Sequence, residues 1–355
     1  MDTDTELVAR AKMERDQWVS YVMPRRLQLV AMGVTLLCVG AILYRVSYRF
    51  TSWENIPALI TLTPKEIAQC GILPADIQVS LFLRNFTGFD VVKSAVVADM
   101  TVRFTFDARQ LTVDRLKDFS FDHGEIIRKS DPRIRLQGDL TVLSYDVRVQ
   151  FTPSFNYRMF PFDGHQLFIT LAPGPITPAE ALFTAMRNDF LLGNELNTSG
   201  WSCVSRRVVA GYTEEKLEQN GATRLALYPR IQYSLSFSRS GIRHIISLVM
   251  PFLLIFFISL LGFSLAPYEN SLQGILALST LSITALIAYC FVIESMSPQT
   301  GYMMVSDKLF LLFLALVSVV FFVNVFSFKI TKRAKITIAY ILHVTLVGAL
   351  LYFTW

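Results

Sequence analysis

The sequence predicts an α+β membrane protein: an extracytoplasmic antiparallel β-sandwich, then a four-helix transmembrane bundle, with one extra transmembrane helix ahead of both. Three observations predict it. The 355-residue chain is 52% hydrophobic and only 17% charged, with 28 Phe and a positive mean hydropathy, far from a soluble mixture. Its middle, from about Phe50 to Arg239, alternates apolar and polar residues in short runs between turn residues. Its last third holds four runs of about 20 residues or more without Asp, Glu, Lys or Arg, each long enough to cross a bilayer.

Residues 1–26 are polar and end in Pro24, Arg25 and Arg26; Leu27 to Tyr44 then make an uncharged run just long enough to span. The charged leader is long and no small-residue cleavage site follows, so this reads as an uncleaved signal anchor. Arg10, Lys12, Arg15, Arg25 and Arg26 on its N-terminal flank place the N-terminus in the cytoplasm, against a weaker pull from Arg45 and Arg49. Residues 45–76 form a linker or insertion, with a short helix expected within Pro64 to Pro74.

The sandwich is expected over residues 77–240. Ile77–Arg84, Val96–Phe106, Leu140–Gln150, Gln166–Leu171, Trp201–Ala210 and Arg224–Ser238 read as strands rich in Val, Phe, Tyr and Thr. Asn85–Asp90, Asp131–Arg133, Pro153, Pro161–Gly164, Pro173–Pro178 and Asn220–Gly221 read as the turns between them. Residues 241–355 hold spans at Ile245–Ala266, Asn270–Ile293, Leu309–Phe328 and Ile336–Trp355. The link Lys329–Lys335 carries Lys329, Lys332, Arg333 and Lys335 and is expected in the cytoplasm.

The net charge of +5 is not gathered into a stripe with interleaved aromatics, so nucleic acid is not an expected partner. Cys38, Cys70, Cys203 and Cys290 have no metal-ligand spacing; a Cys70–Cys203 bridge is the alternative to two free thiols. The exported region has no catalytic fingerprint and two histidines, His123 and His165, so neither an enzyme nor a cofactor is expected.

Asn270–Ile293 is the wettest of the spans. On a 3.6-residue wheel Gln273, Ala277, Thr280, Leu281, Thr284, Ala288, Phe291 and Ser295 share a face, small and hydroxylated with two bulky apolar interruptions. That face could line water. The alternative is that its hydroxyls glue neighbouring helices or bond their own carbonyls.

Five local patterns, in order along the chain, resemble the pentameric ligand-gated ion channels, or Cys-loop receptors, and in particular their prokaryotic members. Phe104-Thr105-Phe106-Asp107-Ala108-Arg109-Gln110-Leu111 is similar to the family's W-x-D-x-R-L strand end, with Phe106 in place of Trp. Phe160-Pro161-Phe162-Asp163 is similar to its signature loop. Arg239 with Pro251 resembles the pre-membrane Arg and mid-helix Pro, and Ala288 to Phe291 the outer half of a pore helix. Pro298, Tyr302 and Asp307 resemble the link between the second and third spans. The resemblance runs from about Ile77 to Trp355 and leaves out the N-terminal anchor. No cysteines flank the signature loop, and the link Lys329–Lys335 is short, as in prokaryotic members.

The resemblance implies a homopentamer in a bacterial inner membrane, with the β-domain periplasmic or extracellular and the second span of each subunit on a central axis. Gln273, Ala277, Leu281, Thr284, Ala288, Phe291 and Ser295 then line the pore, with Leu281 and Phe291 as apolar rings where an ion sheds water. A register one residue off presents Leu276, Thr280, Ile283, Ile287 and Glu294 instead. Glu269 and Glu294 are the candidates for selecting permeant cations. Gating would pass through Asn85–Asp90, Phe160, Pro161, Phe162, Asp163 and Arg239 above to Pro298 and Tyr302 below, with Asp90 and Asp163 flanking Arg239. The agonist is a small molecule or a proton; Phe104, Tyr212 and Tyr228, near a hairpin tip expected at Gly211–Ala222, are the candidate aromatic walls. A non-conducting receptor or scaffold on the same fold is the alternative function.

Overall fold

The protein is described from a computed structural model covering residues 22–47, 52, 54–61, 74–174, 176–194, 196, 198, 200–219, 222–239, 242–265, 269–327 and 329–354, with backbone alone at 215–219, 222–226 and 269–271. The expected Pro64–Pro74 helix and Cys70 fall outside these residues, apart from Pro74. The chain divides into two compact units. One gathers the helices together with Tyr157–Asp163; the other holds the strands.

The strand unit is one eleven-stranded sheet: β1 (Ala75–Asp90), β2 (Ala95–Phe106), β3 (Phe119–Phe121), β4 (Gly124–Lys129), β5 (Arg133–Gln137), β6 (Leu140–Phe151), β7 (Gly164–Pro173), β8 (Ala181–Thr184), β9 (Phe190–Leu192), β10 (Trp201–Gln219) and β11 (Ala222–Arg239). Its order is β10-β11-β7-β3-β4-β6-β2-β1-β8, with β5 on β6 and β9 on β1. The sheet curls until β8 lies against β10 and β11. Period-two burial sets its inside: Val79, Leu81, Val102, Phe104, Val149, Leu167, Tyr233 and Leu235 are all buried. Tyr233, wholly buried, donates its hydroxyl to the Val79 carbonyl at 3.2 Å, which satisfies its one polar group; burial pushes its phenol well above the usual range.

Three expectations are corrected here. The sheet is mixed rather than antiparallel, because β8 and β9 both pair parallel to β1. Asn85–Asp90 is the end of β1, not a turn; two bulges skip Arg84 and Thr87 in the pairing with β2, and the chain reverses at Val91–Ser94. Gly211–Ala222 is strand on both sides as far as Gln219 and from Ala222, so any tip is confined to residues 220–221, outside the described residues.

The helical unit contains α1 (Arg25–Ser47), α2 (Arg243–Leu260) with a 3-10 continuation Leu261–Ser264, α3 (Glu269–Met296), α4 (Val305–Val325) and α5 (Lys332–Thr354). All five are long and apolar enough to cross a membrane. Lipid is as apolar as Leu, so packing and polar bonds rather than water exclusion hold such helices together. The packing includes Phe252 stacked on Phe313 at 4.8 Å between centroids. Several of the polar bonds involve α1 and Met23 just before it. Gln28 donates to the Leu260 carbonyl at 2.6 Å and accepts from the Ser264 hydroxyl, Met23 N–H bonds the Phe263 carbonyl at 3.0 Å, and Thr35 bonds His343 of α5 at 2.8 Å. Leu260 and Phe263 lie where α2 ends, and a helix end leaves its last carbonyls without intrahelical partners. The N-terminal helix thus completes α2.

Candidate functional site

The helix that carries the functional argument is α3. Its buried face is Ile275, Ser279, Ser282, Leu286 and Ile293. At about 100° per residue these occupy one side of the helix, and Gln273, Ala277, Leu281, Thr284, Ala288, Phe291 and Ser295 fall within about 80° on the opposite side. All seven are exposed. Of the alternative set, Thr280, Ile287 and Glu294 are exposed and Leu276 and Ile283 half-buried. The arc opposite the buried face is therefore the seven-residue one.

The hydroxyls of α3 divide into two groups. Ser279 and Ser282 face the bundle and bond the carbonyls of Ile275 and Leu278, each at 2.9 Å; Ser279 also accepts from Asn324 of α4 at 2.8 Å. These two are helix glue. Thr284 and Ser295 are exposed and bond back to Thr280 and Val292 at 3.0 and 2.7 Å, each keeping an oxygen lone pair for an outside donor. Gln273 and Thr280 are exposed with no side-chain partner among the described residues. By contrast, the exposed large residues of the other spans include Met250 and Leu254 on α2, Leu311, Val319 and Phe322 on α4, and Ile341, Val344 and Leu351 on α5. Of the five spans α3 is the least covered by its own chain, at 22%, yet it exposes this polar arc.

Glu294 sits to one side of the arc. It lines a cavity of about 500 Å³ with Asp307, Pro298 and Tyr302, between the end of α3 and the start of α4. Glu269 begins α3; its side chain lies outside the described residues.

The signature loop is built into the helical unit. Phe160, Pro161, Phe162 and Asp163 are buried, with a cis peptide bond at Phe160-Pro161. Val305 and Ser306 begin α4, where N–H groups lack intrahelical acceptors. The Arg158 and Phe160 carbonyls accept from them at 3.0 Å each. Tyr302 accepts from the Tyr157 N–H at 2.9 Å, and the Arg158 guanidinium lies 5.5 Å from the Tyr302 ring centre. Phe160 also meets His244 of α2 edge-on. Tyr157–Phe160 thus meets both Tyr302 and the first turn of α4, and Pro298, four residues before Tyr302, is buried.

In the strand unit, Asp90 bonds the Lys93 N–H at 3.0 Å and lies 3.8 Å from its ammonium. Arg239 lies over the Trp201 ring at 4.4 Å. Trp201 in turn meets His165, which is fully buried, flanked by Phe155 and bonded to Glu54 at 2.8 Å.

The three candidate aromatic walls are not gathered. Phe104 is fully buried against Phe119, a core residue and not a wall. Tyr212 is buried and its backbone pairs with Ile60. Tyr228 borders a hollow of about 490 Å³ that it shares with Phe119, Lys129 and Arg230. Lys129 already places its ammonium 3.9 Å from the Phe119 centroid and 4.8 Å from that of Tyr145, where burial lowers its pKa. The cation that these rings hold comes from the chain itself.

Among the described residues no His, Cys, Asp or Glu group is arranged to hold a metal ion. Cys203 is a free, exposed thiol, and Cys38 and Cys290 are free as well. Sequence reasoning missed Asn324, Gln28, Lys129 and the clamp made by the Arg158 and Phe160 carbonyls; the first two are visible in sequence only as lone amides in apolar spans. No protein-family model and no curated protein sequence matches this chain.

Proposed function

We propose that the chain is one subunit of a homopentameric ligand-gated ion channel of prokaryotic type, seated in a bacterial plasma membrane with its N-terminus cytoplasmic and its β-domain outside. The observation that carries the reading is the mismatch on α3: the span least covered by its own chain offers Gln273, Thr280, Thr284 and Ser295 outward. Lipid gives such groups no partner, and water does. One helix cannot enclose a water column, so several copies must meet, and the number five comes from the family resemblance.

Leu281 and Phe291, exposed at 64% and 68%, supply the constriction in this reading. The arc carries no Lys or Arg, and Glu269 and Glu294 stand at the two ends of the helix, which supports cation selection. The clamp between Tyr157–Asp163 and the start of α4 supports a gating path through that loop, because a shift of the loop carries the first turn of α4 with it. The stimulus is a small molecule or protons acting on the strand unit.

The test has two readouts. Purified protein in liposomes should pass Na⁺ in preference to Cl⁻ under some stimulus among pH steps and small organic ligands. Independently, Leu281→Cys and Thr284→Cys, in a background with the four native cysteines replaced, should react with a membrane-impermeant thiol reagent. No flux together with unreactive thiols at both positions would mean that the arc packs against protein, and the channel reading would fall.

A further inference from the structure

We infer that residues 54–60 form a releasable strap that pins the root of the arm made by β10 and β11, so that motion of the arm is governed by the segment leading from α1. The strap belongs to the linker outside the family resemblance. Ser47 ends α1, and four residues separate it from Ser52.

The arm follows from sheet register. β7 flanks β11 from Ile231 to Ser238, whereas β10 and β11 stay paired from Trp201 and Arg239 out to Gln219 and Ala222. Beyond Arg230 the two strands run on without the support of β7, and a two-stranded ribbon is marginally stable by itself. The root of the arm is Gly211 and Tyr212, opposite Arg230 and Pro229.

The strap meets that root directly. Ile60 and Tyr212 exchange both backbone hydrogen bonds, each at 2.8 Å, so Ile60 stands where a third strand would. A Cβ on Gly211 would lie 2.9 Å from the Leu59 Cβ and 3.0 Å from the Ile60 carbonyl oxygen. Glycine at 211 is what admits the strap.

The other pin is Glu54. Its side chain, 3% exposed, reaches the fully buried His165 and bonds Nδ1 at 2.8 Å, where Phe155 and Trp201 close round the imidazole. The second Glu54 carboxylate oxygen is buried with no hydrogen-bond partner among the described residues. A carboxylate that gives up water for half of its bonds is held at a cost, so this is the end that lets go.

Little slack lies between the pins. Along β11 the rows of Tyr212 and His165 are Pro229 and Phe237, eight residues or about 26 Å apart. The six residue steps from Glu54 to Ile60 reach at most about 22 Å, and the Glu54 and His165 side chains supply the rest. Pro57, midway, fixes its own φ and keeps Ile56 extended. Displacement at one pin is therefore felt at the other.

The inference does not rest on the channel reading, because its readout is motion of the arm and not conductance. Hydrogen exchange of the full chain in detergent, followed by mass spectrometry, tests it. Glu54→Ala and Gly211→Ala should each speed exchange over residues 212–219 at least about fivefold, with β2 and β6 unchanged. Ile60→Cys with Tyr212→Cys, in a background with the four native cysteines replaced, puts two thiols on a hydrogen-bonded pair whose Cα atoms lie about 5.5 Å apart, within disulfide reach. In the presence of Glu54→Ala, oxidising that pair should slow arm exchange at least about fivefold, and reduction should restore the fast rate. Arm exchange unmoved by both single variants, a rise spread equally over the whole sheet, or no slowing on oxidation would each overturn the inference.

Discussion

Removing the Ser279 hydroxyl tests what fixes the rotation of α3. Asn324 is fully buried and its amide nitrogen donates to Ser279 at 2.8 Å, while its carbonyl oxygen already lacks a partner among the described residues. Ser279→Ala takes away the acceptor and leaves an amide with neither end bonded. In a water-soluble core an orphaned buried amide costs about 1–3 kcal/mol. Interhelical bonds inside a membrane average about 0.6 kcal/mol and reach about 1.7, because the separated helices find other partners. The expected loss is therefore about 1 kcal/mol. In an Asn324→Leu background there is no amide to orphan, and Ser279→Ala should cost less than about 0.5 kcal/mol. SDS-titrated unfolding followed by circular dichroism, run as a double-mutant cycle, measures the difference. Equal costs in both backgrounds, within the roughly 0.3–0.5 kcal/mol typical of independent sites, would refute the reasoning. Gly262 belongs to the same contact: a Cβ there would lie 2.5 Å from the Asn324 amide nitrogen, so Gly262→Ala should loosen the same joint.

Three further outcomes are expected. Gln28→Leu removes the bonds to Leu260 and Ser264 and should lower the thermal midpoint, by about 1–2 kcal/mol in stability, and make α1 more accessible to protease; an unchanged midpoint would mean that α1 is only tethered. Lys335 is buried, its ammonium bonded to Ser327 at 2.6 Å with no carboxylate partner among the described residues, so Lys335→Met should be neutral or stabilising, and a large loss in the same melt would point to an anion beside it. The Arg148 hydrogen bond holds the Asp99 carboxyl below its usual pKa. Its stabilisation is thus present above the unfolded value near 3.8 and disappears as pH falls through the folded value. Asp99→Asn should lower the midpoint at pH 7 by more than it does at pH 3; an equal shift at both would contradict the ion pair.

Long uncharged runs made the five spans legible, and the observed helices Glu269–Met296 and Val305–Val325 lie within a few residues of where hydropathy put them. The long strands were legible from period-two burial. The short ones were not: β8 and β9 have 4 and 3 residues, too few for a period, and nothing local foretells that they pair parallel to β1. Asn85–Asp90 is rich in turn-forming residues, yet β1 continues through it and stays paired with β2 by skipping Thr87. β5 alternates as Arg133-Ile134-Arg135-Leu136-Gln137, yet all five residues are exposed, so its alternation does not mark a core strand. Phe104 is fully buried, and its residue type alone does not distinguish a core aromatic from one that lines a ligand site.

The segment Tyr157–Asp163 is encoded between two strands, yet it supplies acceptors for the first amides of α4. Neither half of the protein is therefore a self-sufficient module. A truncation starting at α2 would lose the carbonyls that anchor Val305 and Ser306, and that turn should fray even when every span is retained. Transplanting the strand portion onto a foreign set of spans would carry along a loop shaped for an absent helix start, so productive chimaeras must exchange Tyr157–Asp163 together with the spans.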